Sequence, residues 1–232
     1  MNTGAMINRC LDGLGAGRQS NTRLTAKILA QLNMDYEDLC GAQPWDWLRQ
    51  RTSIPFTATD DYVTLPTTTH GGETVNLVAA VIFVTLQSLG RPLRYMHEFN
   101  DLVERGVTLN LLGTGTPDTW CVTMGADGVT KELLLIPQPG YADTAIVYFL
   151  RSSESLTLIN NSDVPIFPSE YHGSYLVNQA MSMLTAMDAT YDGQVGATYA
   201  KKAALAYRRM MHRHSMNQPV FNPRHWPGHG TL

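Results

Sequence analysis

The chain has 232 residues, of which 44% are hydrophobic and only 16% carry a charged side chain. This length suits one domain or two small ones with a sizeable core, and the few charges favour surface buried against other subunits. The net charge of −3 excludes a general electrostatic attraction to nucleic acid.

Two amphipathic helices are predicted at the start of the chain. Thr3 is expected to cap the first, which glycines between Gly13 and Gly17 should end. Asn21 or Thr22 is expected to cap the second. The two apolar stripes are Met6, Ile7, Cys10, Leu11 and Leu14, and then Leu24, Ile28, Leu32, Tyr36 and Leu39. Each stripe needs a packing partner.

The second helical pattern leads to the sequence Pro44-Trp45-Asp46-Trp47-Leu48. A tryptophan buries a large apolar surface and needs only one hydrogen bond, so this pair is typical of an anchor where helix turns into sheet. Residues two apart on a helix do not share a face. We therefore expect Trp45 and Trp47 not to enter the same core. One should lie in the core, and the other at the junction of helix and sheet or at a subunit contact.

A strand-rich region follows the tryptophans. Residues 52–57 and 62–65 are predicted to form a hairpin around Ala58-Thr59-Asp60-Asp61. Further strands are predicted over 75–86, with a break near Ala79-Ala80, and over 120–124, 132–136 and 145–150. Between them the sequence predicts a loop over 67–72, a turn over 90–92, a helix over 95–105 and a loop over 113–117.

Two more helices are predicted after Pro165 and Pro168. Ser169 is expected to cap the first, with Glu170 in its first turn, where a carboxylate suits the helix dipole. The predicted apolar stripes are Leu176, Ala180, Met183, Leu184, Met187 and Tyr191 on the first helix, and Val195, Tyr199, Ala203, Ala206 and Met210 on the last.

The face of the last helix opposite its apolar stripe is basic. It spans an arc of roughly 140° at about 100° per residue and carries Lys201, Lys202, Arg208, Arg209, His212 and Arg213. Three interpretations stay open: a solvated face, a docking face for an acidic partner protein, and a phosphate-contacting face. Stacking aromatics are not interleaved with the charges, so no nucleic-acid-binding module is indicated.

The C-terminal segment has no helical or strand periodicity. It is rich in Asn, Pro, Gly and His and cannot build a core alone. Phe221 and Trp226 would be costly to leave in water, so we expect them to anchor the segment to a partner. The predicted fold is α+β: a helical bundle from residues 1–50 and 166–214, an inserted, mainly antiparallel β-rich domain over 51–165, and an extended tail over 215–232.

Motifs for catalysis are missing from the sequence. There is no G-x-S-x-G, no phosphate-binding glycine loop and no H-E-x-x-H, which predicts a non-enzyme without a cofactor. Gly113-Thr114-Gly115-Thr116 resembles a phosphate loop only in composition, because it lacks the Gly-Lys-Ser/Thr ending. The histidines near the C-terminus, His212, His214, His225 and His229, lack a defined further ligand, which favours a polar tail over a metal site.

The cysteines indicate a reducing compartment. Cys10, Cys40 and Cys121 are far apart and outside any C-x-x-C spacing, so free, buried thiols are expected. The first residues show no signal pattern, and the longest apolar run, from Leu77 to Val84, is too short to span a bilayer. These features predict a soluble protein made in a cytoplasm.

Several stretches occur in the order found in one family of phage proteins. Ala5 to Gly15, a helix with an Ile-Asn core, is similar to that family's opening helix. Trp45 to Leu48, Tyr62 to Pro66, Leu93-Arg94-Tyr95 and Phe167-Pro168-Ser169 follow, the last before a helix rich in Ala and Met. Over most of residues 5–215, the chain resembles the tail tubular protein A family, the head-to-tail adaptors of short-tailed, T7-like bacteriophages.

The resemblance implies a structural virion protein at the junction of head and tail, assembled as a dodecameric ring. Such a ring docks under the portal, continues the DNA channel and offers a platform to the tail nozzle protein, which is tail tubular protein B-like. Its partners are then the portal, the nozzle and other copies of itself, while DNA passes without specific recognition and no membrane is involved. The residues expected to bind the portal or a neighbouring subunit are Lys201, Lys202, Arg208, Arg209, Arg213, Phe221 and Trp226.

Three alternatives to this function remain open. The sequence also fits the broader class of phage neck and head-completion proteins. A nucleic-acid-binding protein that uses the basic last helix is a further alternative, and it predicts affinity that falls steeply with salt. A hydrolase or metal enzyme that uses the C-terminal histidines predicts bound metal.

Overall fold

A computed structural model describes residues 1–16, 22–60, 62–70, 73–96, 113–153, 156–187 and 193–217. The chain forms two compact units. The first takes its described residues from Met1–Tyr36, Trp45–Trp47 and Leu158–Leu232, and the second from Glu37–Pro44 and Leu48–Thr157. The first is helical and the second is built from strands, so the predicted α+β class is confirmed.

The described residues contain four α-helices, which are α1 (Thr3–Gly13), α2 (Thr22–Gly41), α3 (Asn178–Met187) and α4 (Gly193–Asn217). A 3₁₀ helix (Asp46–Leu48) follows α2, and a π-helical segment (His172–Val177) leads into α3. In the helical unit, α1 packs against the π-helical segment and α3, and α3 packs against α4. The predicted bundle of N- and C-terminal helices is confirmed.

Helix α1 buries the stripe that its sequence predicts, but its cap differs. The buried residues include Met6, Ile7, Cys10 and Leu11. Asn2, not Thr3, is the N-cap, and its Oδ1 accepts a hydrogen bond from the Ala5 N–H at 2.9 Å. Thr3 is fully buried, and its hydroxyl donates to the Asp163 carbonyl at 2.9 Å. The hydroxyl predicted to cap the helix therefore fastens it to a distant loop.

Helix α2 is held to the segment that precedes the C-terminal helices. The amide of Asn33 donates to the Leu158 carbonyl and accepts from the Leu158 N–H, at 3.0 and 2.8 Å. The hydroxyl of Tyr36 accepts from the Ile166 N–H at 2.9 Å, while its ring lies 5.7 Å from that of Phe167. The predicted stripe is buried at Ile28, Leu32, Tyr36 and Leu39.

The stripe predicted between Leu176 and Tyr191 is only partly correct. Leu176 and Ala180 are buried, but Met183 and Met187 are exposed, and Tyr191 lies outside the described residues. The buried positions are instead Gly173, Leu176, Val177, Ala180, Met181 and Thr185. A π-helix bonds i to i+5 and has wider turns than an α-helix, so it changes which later residues face the core.

The expectation for Trp45 and Trp47 is only partly correct, because they differ in burial as expected but do not point to separate places. Helix α2 ends at Gly41, and the tryptophans lie at a 3₁₀ turn where α-helical spacing does not apply. Trp45 is fully buried, Trp47 is half-buried, and their rings stack within the helical unit. The 3₁₀ turn brings the two rings into contact with each other.

The β unit contains two main sheets. The strands are β1 (Arg49–Phe56), β2 (Tyr62–Thr64), β3 (Thr67–His70), β4 (Glu73–Asn76), β5 (Val78–Leu86), β6 (Arg94–Tyr95), β7 (Thr114–Gly115), β8 (Thr119–Met124), β9 (Lys131–Ile136), β10 (Gln138–Pro139) and β11 (Asp143–Arg151). A three-stranded antiparallel sheet has the order β1-β11-β5, and a four-stranded sheet has the order β2-β9-β8-β6. Only β6 is parallel to its neighbour in these two sheets.

Alternating burial on β11, together with buried residues of its neighbours, forms the core of this unit. Val147 of β11 lies between Thr52 and Val84 in register, and both Val147 and Val84 are fully buried. Trp120 adds the largest side chain, and its indole N–H donates to the Leu93 carbonyl at 3.3 Å. The other buried members are Phe56, Val63, Leu65, Val78, Leu86, Leu93, Leu133, Leu135, Ala145 and Phe149.

Three local predictions in the strand region are wrong. Strands β1 and β2 do not form a hairpin, because β1 pairs with β11 and β2 pairs with β9. Residues predicted as the loop 67–72 form β3, which pairs with β4 from Thr67 opposite Asn76 to His70 opposite Glu73. The run predicted as one strand from residue 75 is interrupted at Leu77, while β5 continues past Ala79-Ala80 with a bulge.

The remaining differences are smaller. The strands predicted over 120–124, 132–136 and 145–150 are confirmed as parts of β8, β9 and β11. Tyr95 lies in β6 instead of opening a helix, and the rest of that predicted helix, from residue 97, lies outside the described residues. Thr114 and Gly115, predicted as loop, pair with β10 as a short parallel strand.

Candidate functional site

The basic residues predicted on the last helix occupy exposed positions of α4. Lys201, Lys202, Arg208, Arg209 and Arg213 are all exposed, as is His212. Ala203, Ala206 and Met210 on the opposite face are buried. Three-to-four residue spacing of small and apolar residues thus fixes α4 on the bundle and leaves the cations outside.

Only some of these cations line a cleft, so their environments differ. Lys202 and Arg209 line a cleft of 440 Å³ in the helical unit, whereas Lys201 and Arg208 do not. Arg213 forms an ion pair with Glu170, a residue at the edge of the same cleft. We call this the basic cleft; its lining residues are Met1, Arg9, Ser169, Glu170, Gly173, Ser174, Asn178, Lys202, Leu205, Ala206 and Arg209.

Arg9 of α1 supplies the third cation of the basic cleft. It lies against Gly173 of the π-helical segment, where an added Cβ would come 2.5 Å from Arg9 Nη1. Glycine at this position therefore lets the guanidinium lie directly on the helix backbone. Sequence analysis missed both residues, since 164 positions separate them and neither belongs to a periodic pattern.

Charge in the basic cleft is unbalanced. Its lining contains Arg9, Lys202 and Arg209 but one carboxylate, that of Glu170, which already pairs with Arg213. Among the described residues, none of the three cations forms an ion pair, and Lys202 lies only near the Tyr199 ring, 5.5 Å from its centroid. Such an arrangement attracts an anion, because each unpaired cation gains from a nearby negative charge.

Hydrogen bonds fix the wall that carries Gly173. The Ser174 hydroxyl donates to the Glu170 carbonyl at 2.7 Å, and the Asn178 amide donates to the Ser174 carbonyl at 2.8 Å. His172 is buried, with Nε2 2.8 Å from the Phe167 carbonyl and Nδ1 3.0 Å from the Met1 carbonyl. These contacts hold the start of the chain against the π-helical segment.

The prediction of a polar histidine tail is wrong for His214. Helix α4 continues to Asn217, and His214 is buried near its end. Its Nδ1 lies 3.5 Å from Asp46 Oδ2, and its ring meets that of Trp45. His225 and His229, like the predicted anchors Phe221 and Trp226, lie outside the described residues. In the described ranges, no cluster of three or more His, Cys, Asp or Glu could hold a metal ion.

None of the helices in the described part of the chain is long and apolar enough to cross a membrane. A family model described as SU10 adaptor protein matches residues 1–224. A search of curated proteins found no match.

Proposed function

The chain belongs to the SU10 adaptor protein family and is a phage adaptor protein; we propose that it forms the head-to-tail adaptor ring. In this proposal a dodecamer docks under the portal, continues the DNA channel and offers a platform to the tail nozzle protein. The narrower resemblance to T7-like adaptors stays a prediction, as do the residue boundaries of the predicted domains.

The observation that carries this proposal is the exposed basic face of α4. A helix held on the bundle by Ala203, Ala206 and Met210 presents cations outward, close to the point where the C-terminal segment begins. A charged rim of this kind sets orientation and association rate more than affinity. We propose that Lys201, Lys202, Arg208, Arg209 and Arg213 face an acidic surface of the portal or a neighbouring subunit.

The C-terminal segment would then supply the affinity. Phe221 and Trp226 are its large aromatic residues, and each could bury about 150–250 Å² against a partner. Extended segments bind in this way when pockets on a preformed surface accept separate side chains. We propose that they anchor the adaptor to the portal ring.

Sedimentation of phage heads tests this proposal. DNA-filled heads that carry a portal but no adaptor are mixed with the full chain or with a chain truncated after Asn217. The truncation keeps all of α4, including the buried His214. The full chain should sediment with the heads, and the truncated chain and Trp226→Ala should bind poorly.

Matched controls separate the possible outcomes. Heads without a portal should not retain the full chain. If the truncated chain binds portal-bearing heads as well as the full chain does, the tail is not an anchor and the docking surface lies elsewhere. If the full chain binds free DNA but not heads, with affinity that falls steeply as salt rises, a nucleic-acid-binding function replaces the proposal.

A further inference from the structure

We propose that the basic cleft binds a carboxylate side chain that an acidic segment of the portal protein presents. This inference rests on the proposed function and names the chemistry of the contact. It adds Arg9 and Gly173, which lie outside α4, to the interaction surface. Within α4, it assigns carboxylate binding to Lys202 and Arg209 and not to the neighbouring cations Lys201 and Arg208.

The charges of the cleft indicate an anionic ligand. Arg9 comes from α1, and Lys202 and Arg209 come from α4, so two helices far apart in sequence bring three cations to one cleft. The cleft lining holds one carboxylate for these three cations, that of Glu170, which already pairs with Arg213. Like charges placed together repel, and an incoming anion relieves that repulsion.

The shape and lining favour a side chain over a DNA backbone. The cleft volume of 440 Å³ has room for a side chain and its flanking peptide, but a duplex could touch only its rim. Its wall is mixed, because Leu205 is 51% exposed beside the cations and the buried Ala206 adds apolar surface. Leu205 can cover the aliphatic stem of a glutamate while the cations bind its carboxylate.

Gly173 positions the guanidinium that would bind this carboxylate. Arg9 lies so close to the backbone that an added Cβ would stand 3.4 Å from its Cζ and 2.5 Å from its Nη1. A guanidinium binds a carboxylate best through two parallel hydrogen bonds, which requires a fixed plane. Gly173→Ala would displace the flexible end of Arg9 from this position, at little cost to the helix.

An exposed lysine and an exposed arginine on another helix provide matched controls for the test. Portal-bearing heads without adaptor are titrated with the full chain carrying Lys202→Gln or Arg209→Gln, and with Lys27→Gln or Arg23→Gln as controls. Each control loses the same kind of charge from an exposed position of α2, outside both the cleft lining and the basic face of α4. A cleft variant loses a charge-assisted hydrogen bond to the bound carboxylate, so it should bind about tenfold more weakly. Controls should stay within about threefold, as expected of exposed charges.

Variants outside α4 test whether the cleft itself matters. Arg9→Gln and Gly173→Ala should weaken head binding like Arg209→Gln, although neither changes the basic face of α4. Circular dichroism should show all variants folded. An acetylated tetraglutamate peptide should bind the isolated full chain, and the three cleft variants Arg9→Gln, Lys202→Gln and Arg209→Gln should lose that binding.

The outcomes distinguish this inference from the proposed function. If the wild type binds heads and the cleft variants lose no more than the controls, the inference is overturned while portal docking stands. If the wild type does not bind heads but binds the peptide through the cleft, the proposed docking to the portal is wrong, while the inference that the cleft binds a carboxylate is supported. If the cleft variants lose binding of a duplex oligonucleotide and keep head binding, the ligand is phosphate and the inference is overturned.

Discussion

The imidazole of His214 meets the buried indole of Trp45 edge to face, with ring centroids 5.1 Å apart. Trp45 in turn stacks on Trp47, whose centroid lies 4.5 Å away, and contacts the Tyr207 ring edge to face. The last turns of α4 are therefore fixed to the 3₁₀ turn after α2. The point from which the C-terminal segment leaves is held by an aromatic cluster.

Loss of this contact should destabilise the helical unit. His214→Ala removes a side chain that is only 6% exposed, and we expect a cost of about 1–3 kcal/mol because an aromatic pair and its buried area are lost. His212→Ala, two positions away and exposed, should stay within about 0.5 kcal/mol. Urea denaturation measures both, and equal effects would mean that the cluster does not stabilise the fold.

The packing of α2 can be tested in the same way on one helix. Ile28 is fully buried, so Ile28→Ala should cost roughly 2–5 kcal/mol through lost transfer energy and the cavity left behind. Met34 on the same helix is 58% exposed, and Met34→Ala should change the free energy of unfolding by no more than about 0.5 kcal/mol. A loss at Ile28 as small as that at Met34 would contradict the bundle.

Acid should weaken the loop that holds α1. The N–H groups of Asn160 and Ile159 each donate to Asp163 Oδ2 at 2.7 Å, and these bonds lower the pKa of Asp163 below its ordinary 3.8. A carboxylate with a lowered pKa stabilises the fold fully above the unfolded value and loses that effect as pH falls through the folded value. The stability advantage of the wild type over Asp163→Asn should therefore be constant above pH 3.8 and shrink below it.

Thermal unfolding between neutral pH and strong acid measures this difference. An advantage that is independent of pH through the acid range would show that the two N–H bonds do not depend on the charge of Asp163.

The thiols should be inert while the protein is folded. All three cysteines are buried and outside disulfides, as predicted from their spacing, and burial raises the pKa of Cys10 and of Cys121 to about 12. A thiol with so high a pKa stays neutral at pH 8 and is a poor nucleophile. A thiol reagent should label the wild type only after unfolding, whereas a Met34→Cys variant should react at once at its new, exposed thiol. Rapid labelling of the folded wild type would contradict the packing around these cysteines.

Local sequence predicts the helices and the central strands but not their partners. Residues that favour strands identify β11 over Asp143–Arg151 and β5 over Val78–Leu86, because both segments are rich in β-branched and aromatic residues. The polar turn after Phe56 looks like a hairpin loop, yet β1 pairs with β11, which lies far along the chain. Pairing depends on tertiary packing, and local turn residues do not encode it.

The sequence does contain local signals for the pairing of β3 with β4. A run of threonines, which favour strands, forms β3, and the sequence Gly71-Gly72, a dipeptide typical of hairpin turns, separates it from β4. The π-helical segment His172–Val177 has no such signal, because its wider turns show only in the backbone. Its consequence for Met183 and Met187 could not be predicted.

The sequence predicts the part of the candidate site that lies on α4 but not the part that other segments supply. Charge spacing on one helix identifies Lys202 and Arg209, since an exposed face can be found from helical geometry alone. Arg9 and Gly173 meet only when α1 packs on the π-helical segment. Contacts between distant segments, and the glycine that permits this one, become visible only in the folded chain.

Electron microscopy of the purified full chain, mixed with the portal protein of the same phage, tests the central claim most directly. The account predicts adaptor rings seated coaxially on portals, with an open channel through both, and fewer such complexes for Arg209→Gln than for Arg23→Gln. Portals that stay bare beside single adaptor subunits, under conditions in which the chain is folded, would contradict it.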